Sequence, residues 1–118
     1  MADKYNGWTN YETWNVKLWM DDDQGTQEYW LEQAIDAIKS AKGNQYQTAE
    51  QDARYNLAGQ LKTEHQEQLD NAGLTGWACD LAGAALSMVN FYEIAEHLLD
   101  DAREDMPQDE SDDDSDDV

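Results

Sequence analysis

The sequence predicts an all-α fold, a small bundle of about five helices followed by a disordered acidic tail, and three observations carry that expectation. Apolar residues recur at helical spacing, and no segment sustains the apolar/polar alternation of a strand. The punctuation between apolar runs is that of helix ends, with Thr or Asn ahead of them and Gly behind. The acid is also unevenly divided. Residues 1–99 hold 16 acids and 6 bases, whereas residues 100–118 hold 11 acids and one arginine, so each part carries −10 of the formal −20. Past the sole proline, Pro107, no apolar residue occurs until Val118, so nothing there offsets the cost of ordering the backbone. The expected organisation is a helical domain at 1–106 and a disordered tail at 107–118.

Taken in order, the first helix is expected from a capping-box pattern, "TNYE" at Thr9 to Glu12, and runs to about Met20 with Tyr11, Trp14 and Leu18 inward. Trp8, just ahead of the cap, is placed to staple the incoming chain, while Trp19 lies off the stripe and is the candidate for an exposed contact. The second helix opens at Thr26 and ends near Lys42, with Gly43 in the position where a left-handed residue terminates a helix. Its apolar stripe is Trp30, Leu31, Ala34, Ile35, Ile38 and Ala41. "TAEQ" at Thr48 to Gln51 caps a third helix to about Asn71, with Ala53, Leu57, Leu61 and Leu69 inward. The fourth, Gly76 to Met88, is small and apolar enough to be central, with Cys79 packed as a small hydrophobe. For the fifth, Asn90 is the N-cap, Glu93 completes the box, and Phe91, Ile94, Ala95, Leu98 and Leu99 form the buried face.

The totals exclude several function classes. A chain of 118 residues hides about two thirds of its unfolded surface, which leaves little room for a large catalytic cavity. His65 and His97 each sit alone on a helix, with no H-x-x-x-H or E-x-x-H partner, and no G-x-S-x-G, P-loop or dinucleotide fingerprint occurs. Asp21, Asp23 and Glu32 fall at the first, third and twelfth positions of a calcium loop, but its fifth and sixth positions are Gly25 and Thr26, the wrong residues. No enzyme, cofactor or metal is expected. The lone cysteine, the absence of a signal-type apolar run and the lack of any long apolar window lead to the expectation of a soluble protein of a reducing cytoplasm. A surface of this sign repels phosphates and anionic lipids, so neither nucleic acid nor membrane is the expected partner.

The strongest pattern is the projection of the acids. Glu28, Glu32 and Asp36 stand at i, i+4 and i+8; Glu93, Glu96, Asp100 and Glu104 form a second row; Glu64, Glu67 and Asp70 make a looser third. Asp21, Asp22 and Asp23 lead into the first of these. A four-residue step rises about 6 Å along a helix, comparable with phosphates on a strand whose axial rise is about 3.4 Å but whose path also winds. Solubility alone needs a net charge of only about 2 to 8 on a small domain. The expected partner is therefore a basic protein that grips DNA or RNA. Self-association that joins acidic rows into a longer surface remains open.

The run "NGWTNYETWNV" resembles the opening signature of a family of small acidic proteins carried by bacteriophages and plasmids, and "ALSMVNFYEIAEHLL" resembles its closing motif. That resemblance implies a mobile-element setting, the host cytoplasm, and a job such as anti-restriction or anti-CRISPR activity. Known DNA-mimic inhibitors are similar in size and charge but share no sequence match, so mimicry is an expectation from carboxylate spacing. The rival expectation is an interaction module that docks through exposed N-terminal aromatics, its acid serving solubility.

Overall fold

The computed structural model describes residues 5–45 and 47–106. Over these residues the fold is all-α, with α1 (Tyr11–Asp22), α2 (Gln24–Ser40), α3 (Ala49–Asn71), α4 (Gly76–Ser87) and α5 (Phe91–Asp105). The expected disordered tail, 107–118, lies outside the described residues. Three helices, α2, α3 and α5, pack mutually around the core; α1 lies against α2 and α5, and α4 leans on α3. The centre holds Trp30, Leu57, Leu61, Ile94 and Leu99, all fully buried, with Ala34, Ala53, Ala95 and Ala102 small enough to let the helix backbones approach. Full burial of each large side chain is worth about 1.5–3 kcal/mol.

Ahead of α1 the chain turns tightly on Asn6 and Gly7, whose φ angles are 49° and 89°. Tyr5 N–H donates to the Trp8 carbonyl at 2.6 Å and Trp8 N–H to the Tyr5 carbonyl at 2.8 Å. This is a two-residue turn with both central residues left-handed, the geometry for which Asn-Gly is the preferred pair. It brings Tyr5 against Tyr11 and Trp14, and seats the Trp8 ring 4.2 Å from that of His97 on α5. Nothing lies within 4 Å of a Cβ placed on Gly7, so Gly7→Ala tests backbone conformation alone. It should cost about 1 kcal/mol in urea unfolding. A loss under a few tenths would mean the turn is dispensable.

The N-termini of α1 and α5 are joined by one hydrogen-bonded clasp. Asn10 caps α1: its Oδ1 accepts from Thr13 N–H at 2.9 Å and from the Thr13 hydroxyl at 2.6 Å, while its Nδ2 donates to the Met88 carbonyl at 2.8 Å. The same Thr13 hydroxyl accepts from Asn90 N–H at 2.8 Å. Asn90 caps α5 by accepting from Glu93 N–H at 3.1 Å, and its Nδ2 donates to the Thr9 hydroxyl at 3.2 Å. Glu93 closes the circuit, its Oε1 accepting from Thr9 N–H at 2.9 Å.

Several expectations are corrected by this arrangement. The α1 cap is Asn10, not Thr9, because Asn10 alone reaches both its own helix and the Met88 carbonyl. Glu93 does not complete a box with Asn90, whose N–H is already given to Thr13; the carboxylate serves Thr9 instead. The inward face of α1 is Thr13, Lys17 and Met20, while Tyr11 and Leu18 are exposed and Trp14 is half-buried. α2 starts at Gln24 on an Asp23 cap, so Thr26 lies within its first turn, and the helix stops at Ser40. Gly43 is not left-handed; it is fixed by crowding, since a Cβ there would meet Ala49 N at 3.0 Å and Gln47 O at 3.2 Å. The Thr48–Gln51 capping box forms as expected. α4 is not central: none of its residues is buried, and Cys79 is exposed. Leu69 is half-buried rather than core.

Candidate acidic interface

The first acidic row lies on the solvent face of α2. Trp30 and Ala34 turn into the core, so at 100° per residue Glu28, Glu32 and Asp36 fall on the opposite side. All three are exposed, and none forms an ion pair among the described residues. Glu28 accepts one hydrogen bond, from Gln24 Nε2 at 2.9 Å.

The three aspartates ahead of this row separate into different roles. Asp21 pairs with Lys17, whose Nζ lies 2.7 Å from Oδ2 while its alkyl stem is buried. Asp22 is exposed at the end of α1. Asp23 Oδ2 accepts from the Thr26 hydroxyl and N–H, both at 2.8 Å, and these bonds hold its carboxyl below the usual carboxylate range. A depressed carboxyl contributes stability at neutral pH that is lost as acid protonates it. Asp23 is thus the hinge between α1 and α2, and its charge sits at a helix N-terminus, where the backbone dipole favours it.

On α3, Glu64 is half-buried at the seam with α2, whereas Glu67 and Asp70 are exposed. The Tyr29 hydroxyl donates to both Glu64 carboxylate oxygens at 3.0 Å, and Gln60 Nε2 donates to Glu64 at 2.9 Å and to Gln33 at 2.8 Å. Asp70 accepts from Gln66 at 3.1 Å. The bond to Glu64 raises the Tyr29 phenol above its ordinary value, with partial burial and the carboxylate charge adding to it. The protonated phenol therefore favours the fold below its ordinary value, and that contribution is lost as pH rises through the raised value of the folded state. Ultraviolet titration should show a tyrosine component that ionises above the ordinary phenol value, assigned to Tyr29. In Glu64→Gln that late component should move down toward the ordinary phenol value; its persistence would sink the assignment.

The α5 row is more compensated than its sequence indicates. Glu93 is taken up by the clasp, Glu96 lies 3.2 Å from Arg54 of α3, and Asp100 lies 3.1 Å from Arg103, which also reaches Glu50 at 3.6 Å. Glu104 is exposed. The Arg54–Glu96 and Arg103–Glu50 pairings cross between helices, so counting bases near each acid in sequence could not find them; Arg103, three residues from Asp100 on the same helix, was readable there.

Two acids outside the predicted rows matter. Asp101 and Asp105 line an open groove of about 210 Å³ together with Lys17, Asp21 and Glu28, over a floor that includes Leu31 and Leu98. The groove joins the ends of α1 and α2 to the flank of α5. Its signal was present as the same four-residue spacing that flagged the other rows.

The aromatic candidates divide as well. Trp19 is 64 % exposed. His97 is exposed beneath Trp8, but His65 is not a surface residue: its Nδ1 lies 2.8 Å from the Leu61 carbonyl, and its ring packs against Trp30 and Phe91. Among the described residues no three His, Cys, Asp or Glu side chains gather as a metal ion would require. No described helix is long and apolar enough to cross a membrane.

Residues 1–79 match the family described as "Family of unknown function (DUF7249)", a match that takes in α1 to α3 and reaches into α4. No curated protein and no solved structure matches the chain.

Proposed function

Because the chain belongs to the DUF7249 family, a family of unknown function, we propose its role from its own surface: it is a DNA-mimic inhibitor that occupies the nucleic-acid groove of a basic host defence enzyme. The observation that carries this reading is the α2 row. Glu28, Glu32 and Asp36 are exposed and without ion pairs among the described residues, at a rise of about 6 Å per step. Asp22 precedes the row, and Glu64 and Glu67 lie on the neighbouring helix. The other acids are secondary: those of α5 are largely engaged by Arg54, Arg103 and the clasp. A formal charge of −20 would steer such a protein toward a Lys- and Arg-lined groove over long range. The resemblance of "NGWTNYETWNV" to phage and plasmid proteins directs the choice of target toward a restriction or CRISPR nuclease acting in the host cytoplasm.

Inhibition here is occupancy and involves no catalysis or cofactor. The immobilised chain should capture a basic nucleic-acid-binding protein from bacterial lysate at about 50 mM salt and release it to duplex DNA. Capture should fall steeply by about 300 mM, where the Debye length drops below ~6 Å. A captured protein that resists both DNA and salt would overturn mimicry. It would favour a docking module working through the exposed N-terminal aromatics Tyr11 and Trp19.

A further inference from the structure

α4 presents two apolar faces, and its own bundle uses only one. Ala78, Ala82 and Leu86 are the half-buried side turned toward the rest of the molecule. On the outer side Trp77 is 77 % and Leu81 63 % exposed, with Ala84 and Met88 continuing the line. Those four positions are spaced four, three and four residues apart, which is the seam of a helix that packs against another helix. A separate open groove of about 610 Å³, lined in part by Gly83, Leu86, Tyr55 and Tyr92, lies on another side of α4, clear of these four residues.

Charge singles out the same region. From Asn71 to Tyr92 the sole charged residue is Asp80, in a chain with 27 acids and 7 bases. Over this stretch a second copy would meet a single acid, the exposed Asp80, so repulsion between copies is small here. The seam is also self-complementary. Under a two-fold axis between Leu81 and Ala84, antiparallel helices set Trp77 of one copy opposite Met88 of the other, and Leu81 opposite Ala84. Large meets small, and a thioether meets an aromatic ring, a favourable contact. The four side chains offer roughly 500 Å² per copy, close to the least that a specific dimer needs.

We infer that the outer face of α4 is the interface of a symmetric homodimer in which the α4 helices pair antiparallel. This interface stands apart from the α2 row and does not depend on phosphate mimicry. Because two like-charged copies must approach, screening helps them. Dimerisation should therefore strengthen as salt rises, opposite in sign to capture of a basic partner.

Sedimentation equilibrium of the full chain over about 1–200 µM, at about 50 and 300 mM salt, tests the inference. The expected result is a mass approaching twice the 13.5 kDa of one chain, with a Kd in the micromolar range that tightens roughly 3- to 10-fold at the higher salt. Leu81→Glu should weaken association at least ~30-fold with unchanged far-ultraviolet circular dichroism, and Trp77→Ser should do the same without adding charge. A chain that stays monomeric throughout would leave the seam to a different protein and overturn the inference. So would a dimer indifferent to both substitutions, or one that weakens with salt.

Discussion

Reversing Glu28, Glu32 and Asp36 together to lysine should weaken capture of the basic partner by at least about 100-fold, or roughly 2.7 kcal/mol. Three reversals of two units each take the formal charge from −20 to −14, so most of the long-range field survives. What the variant loses is local: three attractive contacts become repulsive ones. The side chains point to solvent and hold no ion pair among the described residues, so the fold gives up little. Like charges at four-residue spacing repel by only a few tenths of a kcal/mol per pair, and lysine is a good helix former. Helical content and melting temperature should stay close to the parent. The matched control reverses Asp112, Asp113 and Asp114, which changes net charge equally. If the control weakens capture as much as the α2 variant, net charge rather than the row carries binding. An unaffected α2 variant would remove the row altogether.

What the sequence made legible follows from the range of the interactions involved. The α2 and α5 stripes were readable because one helix against one core leaves a single periodic signal, and Trp30, Ala34, Ile94 and Leu98 all land where that period places them. Helix α1 was misread because it answers to two surfaces. Its aromatics Tyr11 and Trp14 pair with Tyr5 across the Asn6–Gly7 turn, while its buried face is chosen by the needs of Asn90 and Asp21 for partners. Polar Thr13 and charged Lys17 are therefore inside. α4 was misread for the opposite reason: apolar composition states that a face must be covered without stating by what. The acidic rows themselves were visible, since helical spacing fixes them. The neutralisation of Glu96 by Arg54 was not, because it depends on how α3 and α5 are juxtaposed, whereas Arg103 stands three residues from Asp100 on one helix.

The clasp explains why "NGWTNYETWNV" and "VNFYE" belong together, and it carries the largest expected effect on stability. Thr13 is fully buried, and its hydroxyl spends both capacities, donating to Asn10 and accepting from Asn90. Thr13→Val preserves shape and removes that oxygen, leaving Asn90 N–H without its acceptor and one lone pair of Asn10 idle. An orphaned buried group costs about 1–3 kcal/mol. A loss near 2 kcal/mol should lower the melting temperature by roughly 8–15 °C in a domain of this size. Asn90→Ala removes a helix cap, itself worth about 1 kcal/mol, and the contact with Thr9. The two sites share one network, so the double variant should fall short of additivity by about 1 kcal/mol. Simple additivity would show instead that the two caps act separately, with α1 and α5 held side by side by Met20, Phe91 and their apolar neighbours alone.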